Sequence, residues 1–124
     1  MIYFTKDDII CLHSKLVSRF GGCDGVKDEG ILDSALGVPL QTFDCLDLYQ
    51  TPIEKISRLS FGLVMDHPFF DGNKRIAAKI LDVGLKANDI GLKASNEEMA
   101  NEFLSLASGK VTYQDFLLWV YAHI

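Results

Sequence analysis

Positive charge is what this sequence is short of. Twelve Lys and Arg stand against seventeen Asp and Glu, so the 124-residue chain has a formal net charge of -5 and a pI near 5.0. A general binder of nucleic acid or of an anionic membrane needs surplus cations to neutralise phosphates, and there is no surplus here. Cysteine is scarce as well. Cys11, Cys23 and Cys45 are odd in number and widely spaced, without a CxxC pair or a Cys/His cluster, which supports neither a disulfide framework nor a zinc site. Cys11 falls in an apolar helical pattern and is expected to be a small buried hydrophobe. No uninterrupted apolar run approaches membrane-spanning length, and Met1 to Asp8 lacks the pattern of a signal peptide. The expectation is a soluble chain in the reducing cytoplasm. Repeats, linkers and low-complexity segments are absent too. What remains is a globular balance of 48% hydrophobic and 23% charged residues, sized for one domain over residues 1–124.

Helical spacing accounts for most of the chain. Thr5 with Asp8 forms a weak capping box ahead of Ile9, Leu12, Leu16, Val17 and Phe20, and Gly21-Gly22 ends that helix. His13 lies beside the apolar stripe, where a lone histidine is most simply a packed or hydrogen-bonded core edge. Asp28 caps a short helix, Glu29 to Leu36, with Ile31, Leu32, Ala35 and Leu36 inward; Gly37 and Pro39 end it. Leu40 to Gln50 has no helical period and reads as a surface flap or short hairpin, although composition alone favours an ordinary connecting loop. Thr51-Pro52-Ile53-Glu54 is the strongest helix start, and that helix should reach Met65 or Asp66. The next spans Gly72 to about Ala87. Ser95 with Glu98 opens a helix through Met99, Phe103, Leu104 and Ala107. Thr112 caps a last one, with Phe116, Leu117, Val120 and Tyr121 inward and Trp119 in the core or at an interface, the core being favoured. Six helical segments without a convincing strand pair predict an all-α, compact helical bundle.

Between the two most apolar helices lies His67-Pro68-Phe69-Phe70-Asp71-Gly72-Asn73-Lys74-Arg75. Pro68 biases His67 away from the helical region, so the preceding helix should stop there. Asp71 is the expected N-cap of the next helix, and Gly72 lets another group approach the backbone. The N–H groups of Gly72, Asn73, Lys74 and Arg75 would be the unpaired donors of the first turn, an anion site for which phosphate is the usual ligand. Arg75 can grip phosphate as a fork and Lys74 as a point charge, while Asn73 can donate to phosphate or brace the turn. Asp71 can share a Mg²⁺ with phosphate oxygens. His67 is the candidate general base towards an incoming hydroxyl, and Phe69 should turn inward to anchor the loop. Each residue alone suits an ordinary capped helix start; the combination in nine positions points to phosphoryl-type transfer.

These nine residues resemble the signature of the Fic/Doc family, most closely its Doc (death-on-curing) branch, the toxins of type II toxin–antitoxin modules. Leu12-His13, Arg19-Phe20-Gly21-Gly22, Asp28-Glu29-Gly30 and Leu32 to Ala35 extend the resemblance over the N-terminal part. In nucleotide-transferring Fic enzymes, glycine holds the place of Lys74, and a second arginine stands where this chain has Ala78. The resemblance to Doc implies ATP bound in the reverse sense, its γ-phosphate passed to a hydroxyl of elongation factor Tu, which stops translation. It implies His67, Asp71, Lys74 and Arg75 as catalytic residues, Gly72, Asn73, Lys74 and Arg75 as nucleotide-binding, and Asp71 as the Mg²⁺ ligand. A Fic-type nucleotidyltransferase that AMPylates a protein, or a non-catalytic partner-binding domain, is the alternative. The inhibitory Ser/Thr of some Fic proteins has no counterpart, since Gly25 precedes Glu29-Gly30 by four residues. A separate antitoxin is therefore implied, its disordered tail folding into a groove of the toxin.

Overall fold

The computed structural model describes residues 1–124 and contains six α-helices. They are α1 (Lys6–Phe20), α2 (Glu29–Gly37), α3 (Pro52–Asp66), α4 (Asn73–Ala87), α5 (Asn96–Ala107) and α6 (Tyr113–Ala122). A 3₁₀ turn (Val38–Leu40) and a two-stranded hairpin, β1 (Thr42–Phe43) with β2 (Leu46–Asp47), fill the segment between α2 and α3. The expected all-α architecture with a short flap hairpin is what forms. Caps explain the helix starts. Thr5, Asp28, Thr51, Ser95 and Thr112 each accept an N–H of the first turn, and Thr5 and Ser95 complete capping boxes with Asp8 and Glu98. The hairpin turns through Asp44 and Cys45, both at positive φ, as a two-residue connection between twisted strands requires. Lys55 on α3 holds it down, with its ammonium donating to the Tyr49 carbonyl and lying 3.2 Å from Asp47.

The centre is the antiparallel pair α3 and α4, the most extensive helix contact in the molecule. Ile56, Leu59, Leu63 and Val64 of α3 meet Ile76, Ala77, Ile80, Leu81 and Leu85 of α4, all fully buried. Close approach depends on Gly84: a Cβ there would stand 2.8 Å from Ile56 Cγ2 and 2.9 Å from Phe4 Cε2. Ser60 donates 2.7 Å across the interface to the Ala77 carbonyl. The other helices surround this pair and complete one cluster of 17 buried apolar side chains. No helix is long and apolar enough to cross a membrane.

Several placements differ from expectation. Cys11 is exposed, because it lies two residues, about 200° of helical rotation, from the buried Ile9. Phe20 is 56% exposed at the last turn of α1, and Tyr121 is 46% exposed. On α5, where the sequence assigns no inward face to the apolar residues, Phe103 and Leu106 are buried, while Leu104 and Ala107 are exposed. Trp119 is half-buried against the core, stacked on Phe116. Helix α4 starts one residue later than expected. Its N-cap is Gly72, in the left-handed region at φ 74, and Asp71 is not the cap. Asp71 sits one position too early to reach the first-turn amides beyond Gly72, so it binds the Gly72 N–H instead, at 2.8 Å.

Candidate active site

The loop between α3 and α4 runs along the floor of a cleft of about 1090 Å³. One wall is the start of α4, with Gly72, Asn73, Lys74, Arg75 and Ala78. The facing wall is α5, with Met99, Ala100, Phe103, Leu104 and Ala107. His67, Phe70, Asp71 and Phe20 complete it. Every residue expected to serve the site therefore lines one cleft, His67 and the start of α4 among them. The apolar stripe of α5 was legible as a stripe, but it is divided between core and cleft.

Backbone geometry shapes the loop at both ends. His67 ends α3 in the left-handed conformation, φ 50 and ψ 59, where glycine would be the unstrained choice. The following proline predicts departure from the helix, which occurs; the left-handed sign comes from the tertiary clamp that follows. The Pro68 carbonyl accepts from the N–H groups of Lys27 (2.8 Å) and Asp28 (3.2 Å), and the Phe70 N–H donates to the Gly25 carbonyl at 3.3 Å. Val26 and Phe69 form an isolated antiparallel bridge. Phe69 turns inward, 1% exposed, as expected of an anchor. Strain on a non-glycine residue at such a position costs on the order of 1 kcal/mol and persists only where surrounding structure imposes it.

Asn73 braces the turn. Its side-chain oxygen accepts from the Phe69 N–H at 3.0 Å, and its amide donates to the Phe69 carbonyl at 3.0 Å. Its side chain is thus occupied within the loop, and what it offers a ligand is its backbone N–H. No side chain caps α4, and no carbonyl of the chain accepts from the N–H groups of Asn73, Lys74 or Arg75. Of the four expected amides, only that of Gly72 is taken, by Asp71. The helix start therefore presents three free donors, the positive end of the helix dipole and the cations of Lys74 and Arg75. The Arg75 guanidinium lies 4.8 Å from the centroid of the Phe20 ring, a cation–π contact that limits where it swings.

Asp71 is the one carboxylate lining the cleft. Its Oδ1 accepts from Gly72 and its Oδ2 from the Cys23 N–H at 3.4 Å. No group of three or more His, Cys, Asp or Glu side chains converges anywhere in the chain. The donor set fits Mg²⁺ held by one carboxylate together with phosphate oxygens, the usual manner for this ion, and does not form an all-protein cage.

Some contributors were missed by reasoning from the sequence. His13 was expected at a core edge, and it is buried and hydrogen-bonded; that its partner is the Asp71 carbonyl, at 2.7 Å, was not foreseen. The Gly21–Asp28 loop reaches both Asp71 and Pro68, although nothing in its composition announces this. Conserved spacing to the signature, here only hinted at by Leu12-His13 and Gly21-Gly22, would have been the usable signal.

Comparison with known proteins gives the family. The family model described as Fic/DOC family matches residues 3–85, from before α1 to the last turn of α4. The chain is 31% identical over 105 residues to "Toxin Doc" of Mycolicibacterium smegmatis, covering 81% of this chain and 78% of that protein. It is 25% identical over 115 residues to "Protein kinase doc" of Escherichia phage P1, covering 90% of this chain and 87% of that one. The matched span contains the whole loop between α3 and α4 and the two elements that clamp it, and the chain belongs to the Fic/DOC family.

Proposed function

We propose that this chain is the toxin of a type II toxin–antitoxin module, a cytoplasmic phosphotransferase that moves the γ-phosphate of ATP to a hydroxyl of elongation factor Tu. The observation that carries the reading is the start of α4: three free amides, Lys74 and Arg75 facing the same cleft as His67. Lys74 fills the space that a closely held α,β-phosphate pair needs in nucleotide transfer, and Ala78 leaves that chemistry without a second arginine. The kinase named among the relatives supports the same direction.

In this mechanism the amides of Asn73, Lys74 and Arg75 bind phosphate oxygens. Arg75 gives a fork-shaped clamp and Lys74 a point charge. Mg²⁺ bound at Asp71 would neutralise charge on the phosphates. His67 takes the proton of the protein hydroxyl as its oxygen bonds to the γ-phosphorus, and the bridging P–O bond to ADP breaks. Positioning and charge neutralisation supply most of the rate. The apolar α5 wall gives non-polar surface to the nucleotide.

The test uses ATP labelled in turn at the γ- and α-phosphate, incubated with the chain and elongation factor Tu. Transfer of γ-label, lost in His67→Ala, is expected. Transfer of α-label would establish nucleotidyl transfer instead. Growth arrest that survives His67→Ala would leave partner binding without catalysis. An antitoxin with a disordered tail is the expected partner, and co-purification with the product of the neighbouring gene checks it.

A further inference from the structure

We infer that His13, on α1 and outside the signature, is a positioning residue that sets Asp71 and the start of α4. The inference rests on the phosphotransfer reading above. His13 is 1% exposed, and its ring stacks on Phe69 with centroids 3.8 Å apart and planes 12° apart. Its Nε2 lies 2.7 Å from the Asp71 carbonyl oxygen. A carbonyl can only accept, so Nε2 carries the hydrogen and donates it. That bond fixes the peptide between Asp71 and Gly72, the one immediately before the free amides.

The other edge of the ring faces the loop after α1. Nδ1 has no hydrogen-bond partner and lies 3.5 Å from Asp24 Oδ1. Asp24 is held by the Ser14 hydroxyl, at 2.9 and 3.0 Å, and by the Gly25 N–H at 2.8 Å. The same loop touches Asp71 directly. The Cys23 N–H approaches Oδ2, and a Cβ on Gly22 would stand 2.8 Å from Oδ2. Asp71 is thus gripped twice from the α1 side: His13 holds its carbonyl, and a loop that tolerates no side chain at Gly22 holds its carboxylate. A residue wanted only for packing between α1 and Phe69 would be apolar, since a half-satisfied buried imidazole is costly. The polar contact to Asp71 is what the imidazole adds, and residues behind a metal ligand typically tune affinity by roughly 10- to 100-fold.

The test measures uptake of Mn²⁺ with ATP by water-proton relaxation, with melting curves alongside. His13→Gln keeps a donor at the place of Nε2, while His13→Leu fills the space without one. A positioning role expects His13→Gln within about threefold of wild type and His13→Leu weaker by about tenfold or more. A packing role expects the reverse order, because leucine suits the buried site better; that order, or equal binding, overturns the inference. Should His13→Leu fail to fold, His13→Asn serves instead: it keeps a polar side chain but carries its amide to the place of Nδ1, not Nε2. It is expected to weaken Mn²⁺–ATP where His13→Gln does not, and equal binding by these two variants overturns the inference. A wild-type chain that takes up no Mn²⁺–ATP overturns the phosphotransfer reading and the positioning role together. Wild-type uptake unchanged in every variant overturns the positioning role alone.

Discussion

Asn73 and Phe69 exchange two hydrogen bonds, side chain to backbone, each 3.0 Å long. The amide of Asn73 imitates a paired strand and closes the loop on itself. Phe69 is thereby fixed between α3 and α4, with His13 stacked upon it. Asn73→Ala leaves both polar groups of the half-buried Phe69 backbone unpaired, at a cost of about 1–3 kcal/mol. A urea midpoint lowered accordingly is the expected result, with γ-phosphate transfer falling as the loop loosens. Asn73→Asp keeps the acceptor only, and should lie between.

His67 is held at φ 50. His67→Gly removes the strain at an exposed position, and stability is expected to rise by up to about 1 kcal/mol. The same change removes the proposed base, so the proposed γ-phosphate transfer is expected to fall by roughly 10²- to 10⁴-fold. A denaturation midpoint below that of wild type would show that the strain is not there.

Gly84 admits Ile56 and Phe4 where any Cβ would collide. Gly84→Ala must separate α3 from α4 or displace both side chains, at about 1–3 kcal/mol despite the better helix propensity of alanine. Thermal melting decides. An unchanged or higher midpoint would mean that the interface has slack.

His123, after the end of α6, has both ring nitrogens against acceptors: Nδ1 lies 2.7 Å from the Trp119 carbonyl and Nε2 2.9 Å from Glu98 Oε2. Two acceptors require two donors, so the charged ring is favoured, and the Trp119 carbonyl first, then Glu98, holds its pKa above the ordinary value. The Ser95 amide, then His123, holds the Glu98 carboxyl below its own. A raised histidine stabilises fully below its unfolded pKa and loses this as pH climbs through the folded value. A lowered glutamate stabilises above its unfolded pKa and loses this as pH falls through the folded value. The latch between α5 and α6 should be strongest near about pH 5 to 6. Melting temperatures of wild type and His123→Gln should differ most there and converge towards alkaline pH; a constant difference would remove the linkage.

Much of this molecule was legible before any coordinates. The caps at Thr5, Asp28, Thr51, Ser95 and Thr112 are local chemistry, a side-chain oxygen meeting an amide two or three residues on, so sequence suffices to place them. The same holds for the apolar faces of α3 and α4, whose periodicity needs no partner to be visible. The candidate site residues of the central loop could be picked out together because they are adjacent in the chain, and the structure lines one cleft with them. Asp71 as a cap was misplaced by one residue, since Gly72 in the left-handed region takes the turn that a side chain would otherwise make.

What only the tertiary structure decided is long-range. Whether Phe20, Leu104 and Ala107 face core or cleft depends on where α5 lies relative to α4, which no local pattern encodes. The sign of φ at His67 follows from backbone bonds between Pro68 and residues forty positions earlier. The role of His13 follows from its meeting Asp71 across 58 residues of chain. Local preferences are set by each residue and its near neighbours; a carbonyl's partner, and so the shape of this cleft, is set by how the helices close around Gly84 and one another.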